Sequence, residues 1–226
     1  MRLFAIDSGG IIKQLKGFPL TEAGILPVFD VKELKDKNDA EKELADYKHY
    51  CCLLSEDSEV TYHAFKAFAK NNPGSGIIVF SSQPEAWLKR LVEEHILDKN
   101  NMVLVGTRSF NKESRKFMLE NSIKNFSMRE ISFERHWEIA DSIMSVARQW
   151  GKIYICINLD CLDPSFVPAA TSQHPGGLTT RELLYFIYRL KMLRNIGMAQ
   201  VTGFSQEKDD KELTSKVAAK LVVELS

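Results

Sequence analysis

Ile157-Asn158-Leu159-Asp160-Cys161-Leu162-Asp163-Pro164-Ser165-Phe166-Val167-Pro168, continuing through His174-Pro175-Gly176-Gly177-Leu178-Thr179-Thr180-Arg181-Glu182, is the stretch on which the fold turns. Its first part reads as the end of a buried apolar strand, Lys152–Asn158, that finishes in polar residues. A long loop with three prolines and a Gly-Gly pair follows. Asp163-Pro164 and Gly176-Gly177 set turns and the entry to a helix. Thr179 and Glu182 have the spacing of a capping box at that helix start. A loop of about twenty residues without regular structure is uncommon inside a compact domain and is often functional.

Outward from this segment, short apolar runs alternate with amphipathic stretches, the pattern of a parallel sheet with crossover helices. Strands are predicted at Leu3–Ile6, Leu26–Val31, Tyr50–Leu54, Gly76–Ser81, Met102–Val105, Lys124–Ser127, Lys152–Asn158 and Met198–Gly203. Helices are predicted at Asp39–Lys48, Thr61–Lys70, Pro84–Ile96, Lys112–Asn121, Phe133–Trp150, Thr179–Arg194 and Asp210–Leu225. Pro84 suits a first helical position. Several strands are continuously apolar, as expected of a sheet covered on both faces. The Lys- and Asp-rich stretch Lys32–Lys42 reads as a solvated loop and helix start. No repeat or flexible linker divides the chain. The expectation is one domain over residues 1–226: a three-layer α/β/α fold with a mainly parallel sheet. In such a sheet ligands gather beyond the carboxyl ends of the strands. That singles out Ser55–Glu59, Ser81–Glu85, Asn158–Gly177 and Phe204–Asp209.

The 226 residues are 44% hydrophobic and 27% charged, and 30 basic residues balance 30 acidic ones. A neutral chain has no global pull toward nucleic acid or anionic lipid, so neither is expected as a partner. No apolar run approaches the roughly twenty residues of a membrane span, and Met1–Asp7 reads as a strand rather than a secretory leader. Cys51, Cys52, Cys156 and Cys161 form no C-x-x-C pair, which argues against a cysteine zinc site. A cytoplasmic protein with reduced thiols is expected.

The segment from Ile157 to Glu182 closely resembles the signature of the arginase–agmatinase (ureohydrolase) family. There a strand ends in aspartate-x-aspartate-x-x-aspartate-proline, and a loop closes in proline-glycine-glycine-leucine-threonine before an arginine-glutamate helix start. Weaker echoes fall in family order. Ser55–Tyr62 resembles a glycine-glycine-aspartate-histidine-serine turn. Val79–Glu85 resembles a histidine-phenylalanine-aspartate-alanine-histidine-x-aspartate strand end. Val105–Ser109 resembles a glycine-x-arginine strand, and Ala199–Asp210 resembles the last strand. Before Leu53 little can be matched.

The resemblance implies hydrolysis of a guanidinium or related amidine carbon by water held between two Mn²⁺ ions. The family supplies two histidines and four aspartates to those ions. In this chain the six positions carry Ser58, Ser81, Gln83, Glu85, Asn158 and Asp160. Only Asp160 is unchanged, and Glu85 is a conservative replacement. Both imidazoles are lost, and the ligand charge falls from minus four to minus two. Neutral Ser, Gln and Asn are poor partners for two dications. The family's guanidinium-pairing glutamate is replaced by Phe204, and the loop bearing its catalytic histidine is replaced by the Pro84–Ile96 helix.

The leading expectation is therefore a non-catalytic relative with no cofactor and no catalytic residue. Its site is a vestigial pocket of Ser58, Ser81, Gln83, Asn158, His174 and Phe204, with Glu85 and Asp160 as remnants of the metal set. Such a protein would act as a structural or regulatory partner or bind a small molecule. The family's habit of assembling implies a homo-oligomer or a hetero-oligomer with a related protein. The alternative is a divergent hydrolase of C–N bonds in linear amidines, with Glu85, Asp160 and His174 around one metal such as Mn²⁺. His49, His63 and His136 are read as packing or surface residues, and His95 is given no role. Asp57 is read as a turn residue. Arg108 is expected to anchor a carboxylate in the core or a subunit contact.

Overall fold

The computed structural model describes residues 1–226. Eight strands form one sheet: β1 (Arg2–Ile6), β2 (Asp30–Glu33), β3 (Cys51–Ser55), β4 (Gly76–Phe80), β5 (Met102–Thr107), β6 (Lys124–Ser127), β7 (Ile153–Asn158) and β8 (Ile196–Thr202). Their spatial order is β2-β1-β3-β8-β7-β4-β5-β6, and every neighbouring pair is parallel.

Side chains alternate across a strand, so a sheet buried on both sides needs apolar residues at every position. The central strands β4 and β7 obey this up to the terminal Asn158, while β8 buries Gln200 and Thr202. Ile153, Ile155 and Ile157 of β7 enter one hydrophobic cluster, while Tyr154 and Cys156 enter another. The same partition sends Ile78 and Phe80 of β4 one way and Ile77 and Val79 the other. The first cluster is completed by α1 (Gly9–Leu15), α6 (Met128–Glu134), α7 (His136–Ala147), α8 (Thr180–Leu190) and α9 (Leu213–Leu225). The second is completed by α2 (Lys37–Asp46), α3 (Val60–Asn71), α4 (Ala86–Glu93) and α5 (Lys112–Glu120). Three layers result, as the sequence predicts.

Several boundaries differ from the sequence reading. Helix α1 was not foreseen: it is one short stretch opening on Gly9-Gly10, too brief to show periodicity. The second strand is shifted, because Ile25–Val28 stays outside the ladder and pairing with β1 starts at Asp30. Phe133–Trp150 is not one helix. Arg135 takes a positive φ of 66° and separates α6 from α7. Pro84 precedes α4 rather than opening it, since Glu85 is the extended N-cap residue. His95, with φ of 58°, lies outside α4 although the predicted helix Pro84–Ile96 was to hold it, and His49 is exposed. The capping box of Thr179 and Glu182 is present at the start of α8.

Candidate functional site

The strand order reverses around β3, β8, β7 and β4, with crossover helices on opposite faces, and the carboxyl ends of such strands are where open α/β sheets bind ligands. Ser58 follows β3, Ser81 to Glu85 follow β4, and Asn158 and Asp160 close β7. These residues meet. The Ser58 hydroxyl lies 3.4 Å from Glu85 Oε2, and the Asn158 amide Nδ2 donates to Glu85 Oε1 at 2.7 Å. Ser81 Oγ stands between the carboxylates, 3.3 Å from Glu85 Oε1 and 3.2 Å from Asp160 Oδ1. It is also 2.8 Å from the Gln83 carbonyl. One hydroxyl proton can serve only one of these three acceptors at a time.

Asp160 is almost fully buried and is held by a residue the sequence reading passed over. Ser82 donates its backbone N–H to Oδ1 at 3.0 Å and its hydroxyl to Oδ2 at 2.6 Å. The signal available was position alone, since Ser82 adjoins Ser81 at the strand end. Burial pushes the Asp160 carboxyl up, against the pull of the Ser82 and Ser81 donors and the Arg108 guanidinium. Burial, followed by the charge of Asp160, raises Glu85 to about 7, although Asn158, Ser81 and Ser58 donate to it.

Gly203, just past β8, forms the opposite wall. Its φ is +79°, and a Cβ there would lie 1.8 Å from Asn158 Oδ1. Only glycine permits this approach and this backbone angle. Phe204 beside it is packed into the first hydrophobic cluster, 1% exposed, with a backbone bridge to Ala170.

Two expectations are corrected. His174 contributes its carbonyl, not its ring: Arg108 Nε and Nη2 donate to it at 3.0 and 2.6 Å. No group of three His, Cys, Asp or Glu side chains is placed to hold a metal ion, so Glu85, Asp160 and His174 do not assemble. Arg108 binds no carboxylate side chain. It also donates to the carbonyls of Asp160, Cys161 and Leu162, clasping the long loop to the end of β5. A planar guanidinium with five donors is suited to several carbonyls at once.

A cleft of about 460 Å³ between α4 and α5 reaches Gln83 and Glu85 from the surface, flanked by Lys89, Arg90, Asn111 and Ser114. His63 pairs with Glu41 on α2, away from the site. The Asp57 carboxylate accepts the Glu59 N–H within its own turn.

Residues 8–226 match the family described as the Arginase family. Arginase 1, mitochondrial, of Arabidopsis thaliana is 32% identical over 130 residues, covering 55% of this chain and 35% of that protein. Agmatinase of Escherichia coli (strain SE11) is 26% identical over 211 residues, 87% of this chain and 65% of that protein. Each match thus covers less than two thirds of the relative's own length. The crystal structure of formimidoylglutamase from Bacillus subtilis superposes with a TM-score of 0.90 at 19% identity, covering 99% of this chain and 85% of that one.

Proposed function

Since the chain belongs to the arginase family, we propose that it is a member whose site no longer hydrolyses amidines, and that it acts as a structural or regulatory partner or as a small-molecule binder. The orientation of Asn158 carries this reading. Its Oδ1 accepts the Asp160 backbone N–H at 3.1 Å, and its Nδ2 donates to Glu85 at 2.7 Å. The amide hydrogens, which cannot ligate a cation, therefore face the centre of the cluster where the resembling enzymes place an aspartate oxygen.

The remaining donor set does not fit a pair of divalent ions. Manganese-type sites take oxygen and imidazole ligands with enough negative charge to balance the metals. Here two carboxylates remain, and both are engaged by protein donors: Asp160 by Ser82, Glu85 by Asn158. Burial and the charge of Asp160 raise Glu85 to about 7. When protonated it can donate to Ser81 Oγ, which then turns its own proton to Asp160, so the two acids share a closed polar network. Buried thiols at all four cysteines suit a reducing, cytoplasmic setting. The cleft at Gln83 and Glu85 is where a small molecule would enter.

Urea release from arginine, agmatine or guanidinobutyrate with excess Mn²⁺ tests the reading. No release above a blank is expected. Release abolished by Asp160→Ala would replace it with a divergent hydrolase.

A further inference from the structure

The apolar surface of this protein is unevenly spread. Of eleven exposed large apolar side chains, Leu20, Ile25, Leu26, Val28 and Val31 lie in one stretch that feeds the edge strand β2. The backbone phase of β2 is fixed by its bonds to β1. Asp30 N–H donates to the Met1 carbonyl at 3.1 Å and Leu34 N–H to the Ala5 carbonyl at 2.8 Å. Even-numbered residues thus face β1. Phe29, Val31 and Glu33 turn their N–H and C=O groups away from it, at the end of the sheet where no strand follows.

We propose that this edge is a self-association surface whose partner is a second copy of the chain, paired antiparallel through β2 about a two-fold axis at Val31. In that register the two Val31 residues form a hydrogen-bonded pair, exchanging both N–H···O=C bonds, and Phe29 forms another with Glu33 of the second copy. Between them, Asp30 stands opposite Lys32 of the second copy on each side of the axis. Opposite charges in directly facing positions stabilise a ladder, and like charges oppose it. The neighbouring registers lack this match. An axis at Glu33 sets Asp30 against Asp36, and an axis at Phe29 sets Pro27, which has no N–H, against Val31. Asp30 and Lys32 pair with Arg2 and Glu43 within the chain, but these are surface ion pairs of small worth, and with side chains 70% and 36% exposed both can also meet such a partner. Pro27 ends the ladder, and Leu26 and Val28 add apolar contact beside the seam. A symmetric dimer of this kind is isologous, each patch meeting its own copy, and it leaves the site after β4 and β7 untouched. The inference does not depend on whether that site is active.

Sedimentation velocity of the full chain across a range of concentrations is the test. The expected result is a species of twice the 25.7 kDa chain mass that grows with concentration. Val31→Pro removes only outward-facing groups, a change edge strands tolerate. It should give the single-chain mass with an unchanged circular dichroism spectrum and melt. Asp30→Lys, which sets like charges against each other across the seam, should weaken the dimer. A parent that stays at the single-chain mass throughout would overturn the proposal. So would a dimer that survives Val31→Pro.

Discussion

The Asn158 amide spans 2.7 Å to the Glu85 carboxylate, joining the end of β7 to the N-cap of α4. With its carbonyl tied to the Asp160 N–H, Asn158 cannot rotate to offer Glu85 anything but a donor. The contact lowers the cost of a carboxylate there, yet burial and the charge of Asp160 still raise Glu85 to about 7 from an ordinary 4.5.

That value sets a pH dependence. An acid that binds its proton more tightly folded than unfolded contributes stability below its unfolded pKa, and that stability is lost as pH rises through the interval up to its folded pKa. Stability should therefore decline as pH rises from 4.5 through 7 and level off above, with Glu85 contributing up to about 3 kcal/mol of the fall. Glu85→Gln keeps an acceptor for Asn158 and removes the titration. Denaturant melts should show the variant more stable than the parent at pH 8 and the two converging near pH 4.5. A parent already flat across this window would refute the assignment.

Gly203 and Gly176 provide a paired test of what holds Asn158. Both have positive φ, +79° and +78°, so alanine is strained at each. At Gly176 a Cβ meets nothing within 4 Å, whereas at Gly203 it meets Asn158 Oδ1 at 1.8 Å. Gly176→Ala should cost about 1 kcal/mol, the backbone contribution alone. Gly203→Ala should cost at least about 2 kcal/mol more, because Asn158 must leave Glu85 and Asp160. Equal losses in chemical denaturation would show that the clash is relieved elsewhere.

Arg108 should behave as a clasp. Its Nη2 donates to the carbonyls of Asp160, Leu162 and His174 at 2.8, 3.1 and 2.6 Å. Lysine keeps the charge but lacks the fork, so Arg108→Lys should lose about 1–3 kcal/mol by leaving part-buried carbonyls unpaired. Limited proteolysis should then cut between residues 163 and 175. Cleavage there at the parent's rate would show that the loop is held by other contacts.

Much of this architecture is readable from residue pattern, and the exceptions have physical reasons. Strand β4 is apolar at every position, and β7 up to its last residue Asn158, because both faces are covered, and that signal survives without tertiary knowledge. Three of the four residues of the edge strand β2 are charged, so the apolar run just before it, Leu26–Val28, draws the assignment upstream. A helix break at Arg135 costs a left-handed backbone angle that no glycine or proline announces. At the site, the order of motifs places Ser58, Ser81, Glu85, Asn158 and Asp160 together. It is silent on Ser82, whose part depends on a backbone N–H, and on Arg108, whose partners are carbonyls contributed by any residue type.

Rebuilding the ligand set should separate metal binding from catalysis. The variant combines Ser58→His, Ser81→Asp, Gln83→His, Glu85→Asp and Asn158→Asp, restoring both imidazoles and taking the site charge from minus two to minus four. Without metal it should melt below the parent, because the donors from Asn158 and Ser81 are replaced by carboxylates crowded against Asp160. Mn²⁺ should reverse that loss, since a ligand present at about a hundred times its Kd adds about 2.7 kcal/mol. Urea release should stay weak even then. Phe204 is sealed in the core where the family's guanidinium-pairing glutamate would stand, and no histidine faces the cluster from α4. The parent's carboxylates are satisfied by Ser82 and Asn158, so Mn²⁺ should leave its melting temperature unchanged. If Mn²⁺ instead raises the parent's melt as far as the variant's, the native residues already bind metal. The proposal of an inactive site would then have to be abandoned.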